Sequence, residues 1–338
     1  MTPLPQKPPL EHTASTPAET PVENSVSLPT EPVKPVATAE TSARAPEPQP
    51  IHVPDAAPEP VPTAPISAEE KAEFVPFLNR LIDTAFDEIV PRFLTGIAVE
   101  DKTNGTPVTQ ADKTAEEKMR LLIEKTYPEH GIFGEEWGEK EVSHNSEGVR
   151  YRWILDPVDG TKSFITNSFL FGTLIALERD DGTGFRPILS SISHAAANVR
   201  TIGTLDGTHM HLENRGTVVD RDLHVRHCRR LEDATLLATS HWTTPEQHGS
   251  ANIQKLIDRV RMYRTMGDCF GYFAVASAGA DIMIDPELCY WDVAALLPVV
   301  EGAGGVITSM TGGNPLKEIN AVCTAGDIHG EVIALLNA

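Results

Sequence analysis

Proline divides this chain into a part that is not expected to fold and a part that is. Residues 1–66 hold 17 of the 27 prolines and lack aromatic residues, and their three basic and eight acidic residues leave a net charge of −5. A segment of this kind buries too little apolar surface to offset the entropy lost on ordering. We therefore expect a disordered tail over residues 1–66 and a fold confined to residues 67–338.

The folded region begins with two predicted helices. Ser67 followed by Glu70 is the capping-box pattern of a helix start, and apolar residues between Phe74 and Phe93 recur at helical spacing. A second helix is predicted from about Lys113 to Tyr127.

From Tyr151 onward the pattern changes to a mixture of strands and helices. The predicted strands lie in YRWIL, FGTLIALE, GFRPILSSISHAAANVRTIG, HVRHC and ATLLATS. The predicted helices lie in ANIQKLIDRVRM, MGDCFGYFAVASAGADIMI and WDVAALLPVVEGAGGVITSM, the last two being followed by a strand. This order favours an α/β protein with antiparallel strands first and alternating elements later.

Charge and cysteine usage narrow the class of partner. The net charge of −20 argues against nucleic acid or an anionic membrane as the main partner, because both favour a basic surface, and it suits a protein that binds cations. The four cysteines form no C-x-x-C pair, so we expect free thiols in a reducing compartment.

No run of about 18 apolar residues predicts a membrane span, and no apolar segment of the secretory kind follows Lys7. We expect a cytoplasmic protein.

The stretch WILDPVDGT combines two acids with an anion cradle. Asp156 and Asp159 end an apolar run, and Gly160 and Thr161 would offer backbone N–H groups if a helix begins there. Acids beside such donors repel an anion unless a divalent cation lies between them, which favours Mg²⁺ holding a phosphate. A capped turn explains the same residues equally well from spacing alone.

Three further acids lie in comparable positions. Glu135 follows a short apolar run in GIFGEEWGE, Asp112 ends PVTQAD, and Asp292 opens the apolar helix of WDVAALLPVV. An ordinary helix-capping aspartate is the alternative interpretation of Asp292.

Together, GEE, DPVDGT and WDVAALLPVVEGAGG resemble the motifs of the inositol monophosphatase family of Mg²⁺-dependent, lithium-sensitive phosphatases, over essentially residues 67–338. The resemblance implies two or three Mg²⁺ ions, whose ligands would be Glu135, Asp156, the carbonyl of Val158, Asp159 and Asp292. It implies phosphate-binding amides at Gly160 and Thr161. The catalytic residues that it implies, with water as the nucleophile, are Asp112, Thr161 and Glu135.

The resemblance also implies a fold of the α+β sugar-phosphatase type, an α-β-α-β-α sandwich with an antiparallel N-terminal sheet and a mixed C-terminal sheet. We expect an N-terminal α+β subdomain over 67–218 that carries most metal ligands. A C-terminal α/β subdomain over 219–338 would carry Asp292 and the residues that select the substrate. The family is often dimeric, so a homodimer is one option.

The resemblance implies a small phosphate monoester as the substrate and leaves three branches of the family as candidates. The stretches DGTKSFITNSFLFGTLIALE and YRTMGDCFGYFAVASAGADIMIDPELCYWD look most like the histidinol-phosphatases of histidine biosynthesis. Asp268 and Asp285 would complement the cationic end of histidinol phosphate, and Arg264 would order the same loop or touch the phosphate. The alternative is that Asp268 caps a helix and Arg264 is a surface charge. Inositol 1-phosphate and 3′-phosphoadenosine nucleotides or sugar phosphates remain as other substrates, and a metal-binding fold without catalysis remains as another class.

Overall fold

The structure of this chain is a computed structural model that describes residues 63–102, 105–143, 148–241 and 250–338. The α-helices of these ranges are α1 (Ala68–Ile89), α2 (Gln110–Thr126), α3 (Thr161–Ile165), α4 (Ser250–Arg259), α5 (Cys269–Ala276), α6 (Tyr290–Gly302), α7 (Pro315–Glu318) and α8 (His329–Leu336). The strands are β1 (Val99–Asp101), β2 (Pro107–Thr109), β3 (Gly131–Gly134), β4 (Gly138–Lys140), β5 (Arg150–Asp159), β6 (Gly172–Asp180), β7 (Arg186–His194), β8 (Val199–Thr204), β9 (Gly207–Asn214), β10 (Thr217–Leu223), β11 (Thr235–Ala238), β12 (Met262–Arg264), β13 (Ile282–Asp285), β14 (Val306–Thr308) and β15 (Ala321–Thr324).

Two large sheets organise these strands. The first has the order β10-β9-β8-β7-β6-β5-β3-β4, and it is antiparallel except for the parallel pair β3 and β5. The second has the order β12-β11-β13-β15-β14, with parallel pairs around β11 and antiparallel pairs around β15. The predicted antiparallel N-terminal sheet and mixed C-terminal sheet are therefore confirmed.

Buried side chains fill the spaces between five layers. One apolar cluster joins α1 and α2 to a face of the first sheet, and a second joins the opposite face to α5, α6 and the second sheet. A third packs α4 and α8 against the far face of the second sheet. The order of the layers is α-β-α-β-α, as predicted. Helix α6 lies in the central layer between the two sheets, and its first turn is close to the ends of strands from both sheets.

Local signals placed the first two helices well. Ser67 and Glu70 form the predicted capping box of α1. The second helix starts three residues earlier than predicted, because Thr109 is its N-cap and Asp112 closes a second capping box. Asp112 is thereby held at a helix start, next to the strand ends where the other acids lie.

Other sequence predictions differ from the structure. HVRHC was predicted as a strand, but residues 224–228 form an irregular connection in which the N–H of Val225 donates to the carbonyl of Ala303 (2.9 Å). Within the predicted tail, residues 1–62 lie outside the described residues, whereas Ala64 and Ile66 are buried. The subdomain boundary proposed at residue 218 falls inside β10.

No helix of the described ranges has the length and apolarity needed to cross a membrane.

Candidate metal-dependent active site

Three carboxylates from two distant segments meet between the two sheets. Asp156 and Asp159 lie in the last part of β5, and Asp292 lies in the first turn of α6. One carboxylate oxygen of each lies within 4.8 Å of those of the other two. The fold therefore brings together three of the predicted metal ligands.

Backbone donors fix the position of each carboxylate. Asp156 Oδ1 accepts from the N–H of Val158 (3.1 Å), and the pairing of β5 with β6 is irregular between Asp156 and Asp159. Asp159 Oδ2 accepts from the N–H of Cys269 (2.5 Å) at the start of α5. Asp292 Oδ2 accepts from the N–H of Cys289 (2.7 Å), which completes the capping box of α6. Asp292 therefore has both of the roles that the sequence left open, since it caps its helix and joins the cluster.

Burial among other acids raises the pKa of all three groups. Desolvation is the main cause for each. The charges of Glu135, Asp159 and Asp292 raise the pKa of Asp156 further. Asp268 and Asp292 do the same for Asp159. The pKa of Asp292 rises to about 7. Carboxylates that destabilise one another in this way, and that offer only oxygen donors, fit a hard divalent cation such as Mg²⁺.

Glu135 lies at the edge of this cluster and is held by a lysine. Its Oε1 accepts from Lys102 Nζ (2.7 Å), and Lys102 Nζ also donates to Glu136 Oε1 (2.7 Å). The buried Glu116 of α2 holds the turn that carries both glutamates. Its carboxylate accepts hydrogen bonds from the N–H groups of Glu136 (2.8 Å) and Trp137 (3.1 Å). Glu135 also lines the cleft beside the three aspartates.

Thr161 connects the cluster to Asp112. Its Oγ1 lies 3.2 Å from Asp112 Oδ1 and 3.2 Å from the carbonyl oxygen of Val158. Asp112 is buried, and the N–H of Thr109 donates to its other oxygen (2.9 Å). Burial raises the pKa of Asp112. The predicted pair of Thr161 and Asp112 is therefore within hydrogen-bonding reach.

Gly160 forms a tight turn between β5 and α3. It has φ +78° and precedes the first residue of α3, so the first N–H groups of this helix have no partner within the helix. A Cβ at this position would lie 2.6 Å from Asp268 Oδ2. Only glycine meets both conditions without strain, and this explains the glycine of DPVDGT.

Asp268 and Asp285 line the cleft above the cluster. The cleft has a volume of about 290 Å³. Asp268 Oδ2 accepts from Ser163 Oγ (2.6 Å), so its side chain faces α3, although the residue is the N-cap of α5. Asp285 Oδ2 accepts from the Tyr272 hydroxyl (3.1 Å), and burial raises its pKa to about 8.

Arg264 differs from the other predicted substrate-binding residues. It is exposed on the edge strand β12, and its guanidinium donates to the carbonyl of Tyr263 (2.9 Å). The structure thus places Arg264 outside the lining of the cleft, in the position of a surface charge.

Sequence reasoning missed the residues that hold the ligands in place. Lys102 precedes a turn between two short strands, and Glu116 lies inside a helix where a surface acid is the usual expectation. The signal for Glu116 was its place on the apolar side of α2, beside Ala115 and Met119. A charged residue on a buried helix face indicates a partner that periodicity alone cannot name.

Comparisons with known proteins agree with this geometry. The family model described as the inositol monophosphatase family matches residues 70–338. A chloroplastic bifunctional phosphatase of Arabidopsis thaliana is 37% identical, with 80% of this chain and 77% of that protein covered. A histidinol-phosphatase of Streptomyces coelicolor is 33% identical, with coverage of 76% and 94%. The solved structure of an inositol monophosphatase from Zymomonas mobilis is 31% identical with a TM-score of 0.66, and coverage is 81% and 100%. The chain belongs to the inositol monophosphatase family.

Proposed function

We propose that this protein is a Mg²⁺-dependent phosphomonoesterase that hydrolyses L-histidinol phosphate to L-histidinol and phosphate. The observation that carries the reaction type is the cluster of buried Asp156 with the half-buried Asp159 and Asp292, beside the pair of Thr161 and Asp112. Glu135 and the carbonyl of Val158 complete the proposed ligand set. Bound Mg²⁺ would neutralise these acids and stabilise the charge that develops on phosphate and on the attacking and leaving oxygens.

The residues around the cluster have separable tasks. Thr161 has one hydroxyl proton and two acceptors within 3.2 Å, so donation to Asp112 leaves an oxygen lone pair for a water molecule in the cleft. The raised pKa of Asp112 makes it a better proton acceptor than an ordinary aspartate. Gly160 and Thr161 would present backbone N–H groups to the phosphate.

The acidic wall of the cleft supports histidinol phosphate as the substrate. Asp268 and Asp285 line it together, and histidinol carries an ammonium group and a titratable imidazole. A cation beside Asp285 would favour the ionised form of a carboxyl whose pKa burial raises. The similarity to a histidinol-phosphatase at 33% identity supports the same choice.

A substrate panel tests this proposal. With Mg²⁺ present, the full chain is expected to release phosphate from histidinol phosphate faster than from inositol 1-phosphate or 3′-phosphoadenosine nucleotides, and to release none after chelation. Replacement of Asp285 by Asn is expected to raise KM for histidinol phosphate by roughly 10- to 100-fold, because a charge-assisted hydrogen bond contributes about 1.5–3 kcal/mol. Activity on inositol 1-phosphate would change less.

The exposed Glu213→Gln variant is the matched control, since it removes one acid far from the cleft. Preference for inositol 1-phosphate, or an equal loss on both substrates in the Asp285 variant, would reject histidinol phosphate and leave the broader phosphatase. The number of Mg²⁺ ions, a homodimer and a cytoplasmic location remain predictions, and the Arabidopsis relative is named as chloroplastic.

A further inference from the structure

A second group of metal-ligating side chains lies on the hairpin of β9 and β10, at the edge of the first sheet. His209 and His211 flank Met210, which is buried towards the central layer, so the two imidazoles share the opposite face. In the strand register His209 lies opposite Asp222, and His211 lies opposite Asp220. Two imidazoles and two carboxylates therefore occupy neighbouring positions on one face of two adjacent strands.

The four side chains already contact one another. Asp220 Oδ1 lies 3.0 Å from His209 Nε2 and 3.1 Å from His211 Nδ1, and Asp222 Oδ1 lies 3.1 Å from His209 Nδ1. Both ring nitrogens of His209 face carboxylate oxygens, and the hydrogen bonds with Asp220 and Asp222 raise the pKa of His209. The two acids thus favour a positive charge at this position, which is where a metal ion would replace protons.

The cluster is open to solvent at the side of a groove. The groove has a volume of about 570 Å³ between α1 and the strands β8 to β10, and His209, His211 and Asp220 line it. Lys71 and Arg200 also line it, but each is paired with an acid, Lys71 with Asp206 and Arg200 with Asp83. The charges of these two cations are therefore offset, and they do not exclude another cation from the groove.

We propose that His209, His211, Asp220 and Asp222 bind one transition-metal ion of the Zn²⁺ class, at a site separate from the Mg²⁺ centre. Exposed side chains can turn about χ1 and χ2 from their present hydrogen bonds until the four ligand atoms surround one ion. The imidazole nitrogens that coordinate the metal give their protons to solvent, and the two carboxylates become ligands instead of hydrogen-bond acceptors.

The donor set separates this site from the catalytic one. Imidazole nitrogen favours Zn²⁺, Cu²⁺ and Ni²⁺, whereas the all-oxygen cluster around Asp156 suits Mg²⁺. The new site does not depend on the proposed phosphatase reaction. Because its ligands come from both strands, the ion would link β9 to β10 and stabilise the edge of the sheet.

Isothermal titration of the full chain with Zn²⁺ in a large excess of Mg²⁺ tests the proposal. The wild-type protein is expected to bind one more Zn²⁺ than a variant with His209→Ala and His211→Ala. Hydrogen exchange of the amides in residues 207–223 is expected to slow on addition of Zn²⁺ in the wild type and to be unchanged in the variant. Zn²⁺ that displaces Mg²⁺ from the carboxylate centre would be seen equally in both proteins.

A double variant with His224→Ala and His227→Ala is the matched control, because it removes two nearby exposed histidines that lie outside the cluster. It should retain the additional Zn²⁺. The exposed substitution Asp222→Asn, which preserves the shape of the side chain, is expected to weaken Zn²⁺ binding at least tenfold. Equal Zn²⁺ stoichiometry in the wild type and the His209 and His211 variant, or no change in hydrogen exchange, would overturn the proposal.

Discussion

Buried acids lie at both ends of the strand pair β5 and β6, and their partners differ. Towards the start of β5, Arg152 lies opposite Glu178 and donates to it from Nε (2.9 Å) and Nη2 (2.7 Å). The hydroxyl of Tyr290 donates to the other oxygen of Glu178 (2.5 Å). Towards the end of β5, Asp156 accepts one backbone hydrogen bond and lies among other acids.

The difference separates a structural charge from a functional one. Glu178 has a cation and a hydroxyl from the protein itself, so it ties β5, β6 and the first residue of α6 together. Asp156 has a cluster of acids around it, including Asp292 two positions after Tyr290 on the same helix. A buried acid with its own partners stabilises the fold, whereas buried acids that raise one another's pKa mark a place for an external cation.

The largest expected effect comes from Asp156→Asn. We expect phosphatase activity to fall by more than about 100-fold, since even partners of metal ligands are worth about 10- to 100-fold. Thermal stability without Mg²⁺ should stay equal or rise, because one of several repelling acids is removed. Initial rates with saturating Mg²⁺ and thermal unfolding with a chelator measure the two effects. Retained phosphatase activity would contradict the proposed metal site.

Glu178→Gln should have the opposite profile. It leaves Arg152 with only the exposed Glu139, 3.5 Å away, as an acidic partner, so we expect a loss of about 3 kcal/mol in the free energy of unfolding, measured by urea denaturation. The activity of the folded fraction should remain close to that of the wild type. Asp181→Asn, which breaks the exposed pair with Arg186, is the control and should lower the free energy of unfolding much less than Glu178→Gln does. Similar losses in the free energy of unfolding of both variants would contradict the structural role of the pair of Glu178 and Arg152.

The smallest expected effect is a pH dependence of stability without metal. The pKa of Asp292 is about 7 in the folded chain and near 4 when unperturbed, so between about pH 4 and 7 the folded state keeps a proton that the unfolded state has lost. This contribution to stability is complete below about pH 4 and is lost as the pH rises through 7. Mg²⁺ takes over the role of the proton, so the rise in Tm caused by Mg²⁺ should increase over this interval.

Buried His194 and half-buried His329 act in the other direction, because desolvation lowers the pKa of each to about 4 and their protonation favours unfolding at low pH. The measured quantity is therefore the rise in Tm on addition of Mg²⁺ at each pH, and the same rise in the Asp292→Asn variant is the reference. A rise in Tm with Mg²⁺ that is the same at about pH 5 and about pH 7.5 would contradict the assignment.

Much of this fold could be predicted from local signals, and the exceptions have physical reasons. The capping box of Ser67 and the apolar runs of β5 and β6 depend on residues near one another in sequence. HVRHC has the composition of a strand, but residues 224–228 form an irregular connection that passes over the end of α6. There the N–H of Val225 donates to the carbonyl of Ala303. Strand pairing depends on neighbours that composition does not reveal.

By itself the sequence determined the family, the order of the layers and which acids are candidates for a metal centre, because the motifs around Glu135, Asp156 and Asp292 are short and each requires a particular residue at each position. Only the tertiary structure decided which side chains hold those acids, since Lys102 and Glu116 reach Glu135 and its turn from other segments. It also removed Arg264 from the cleft and brought Asp268 against Gly160. Such contacts join residues far apart in the chain, and the free energy that selects them comes from burial and charge in three dimensions.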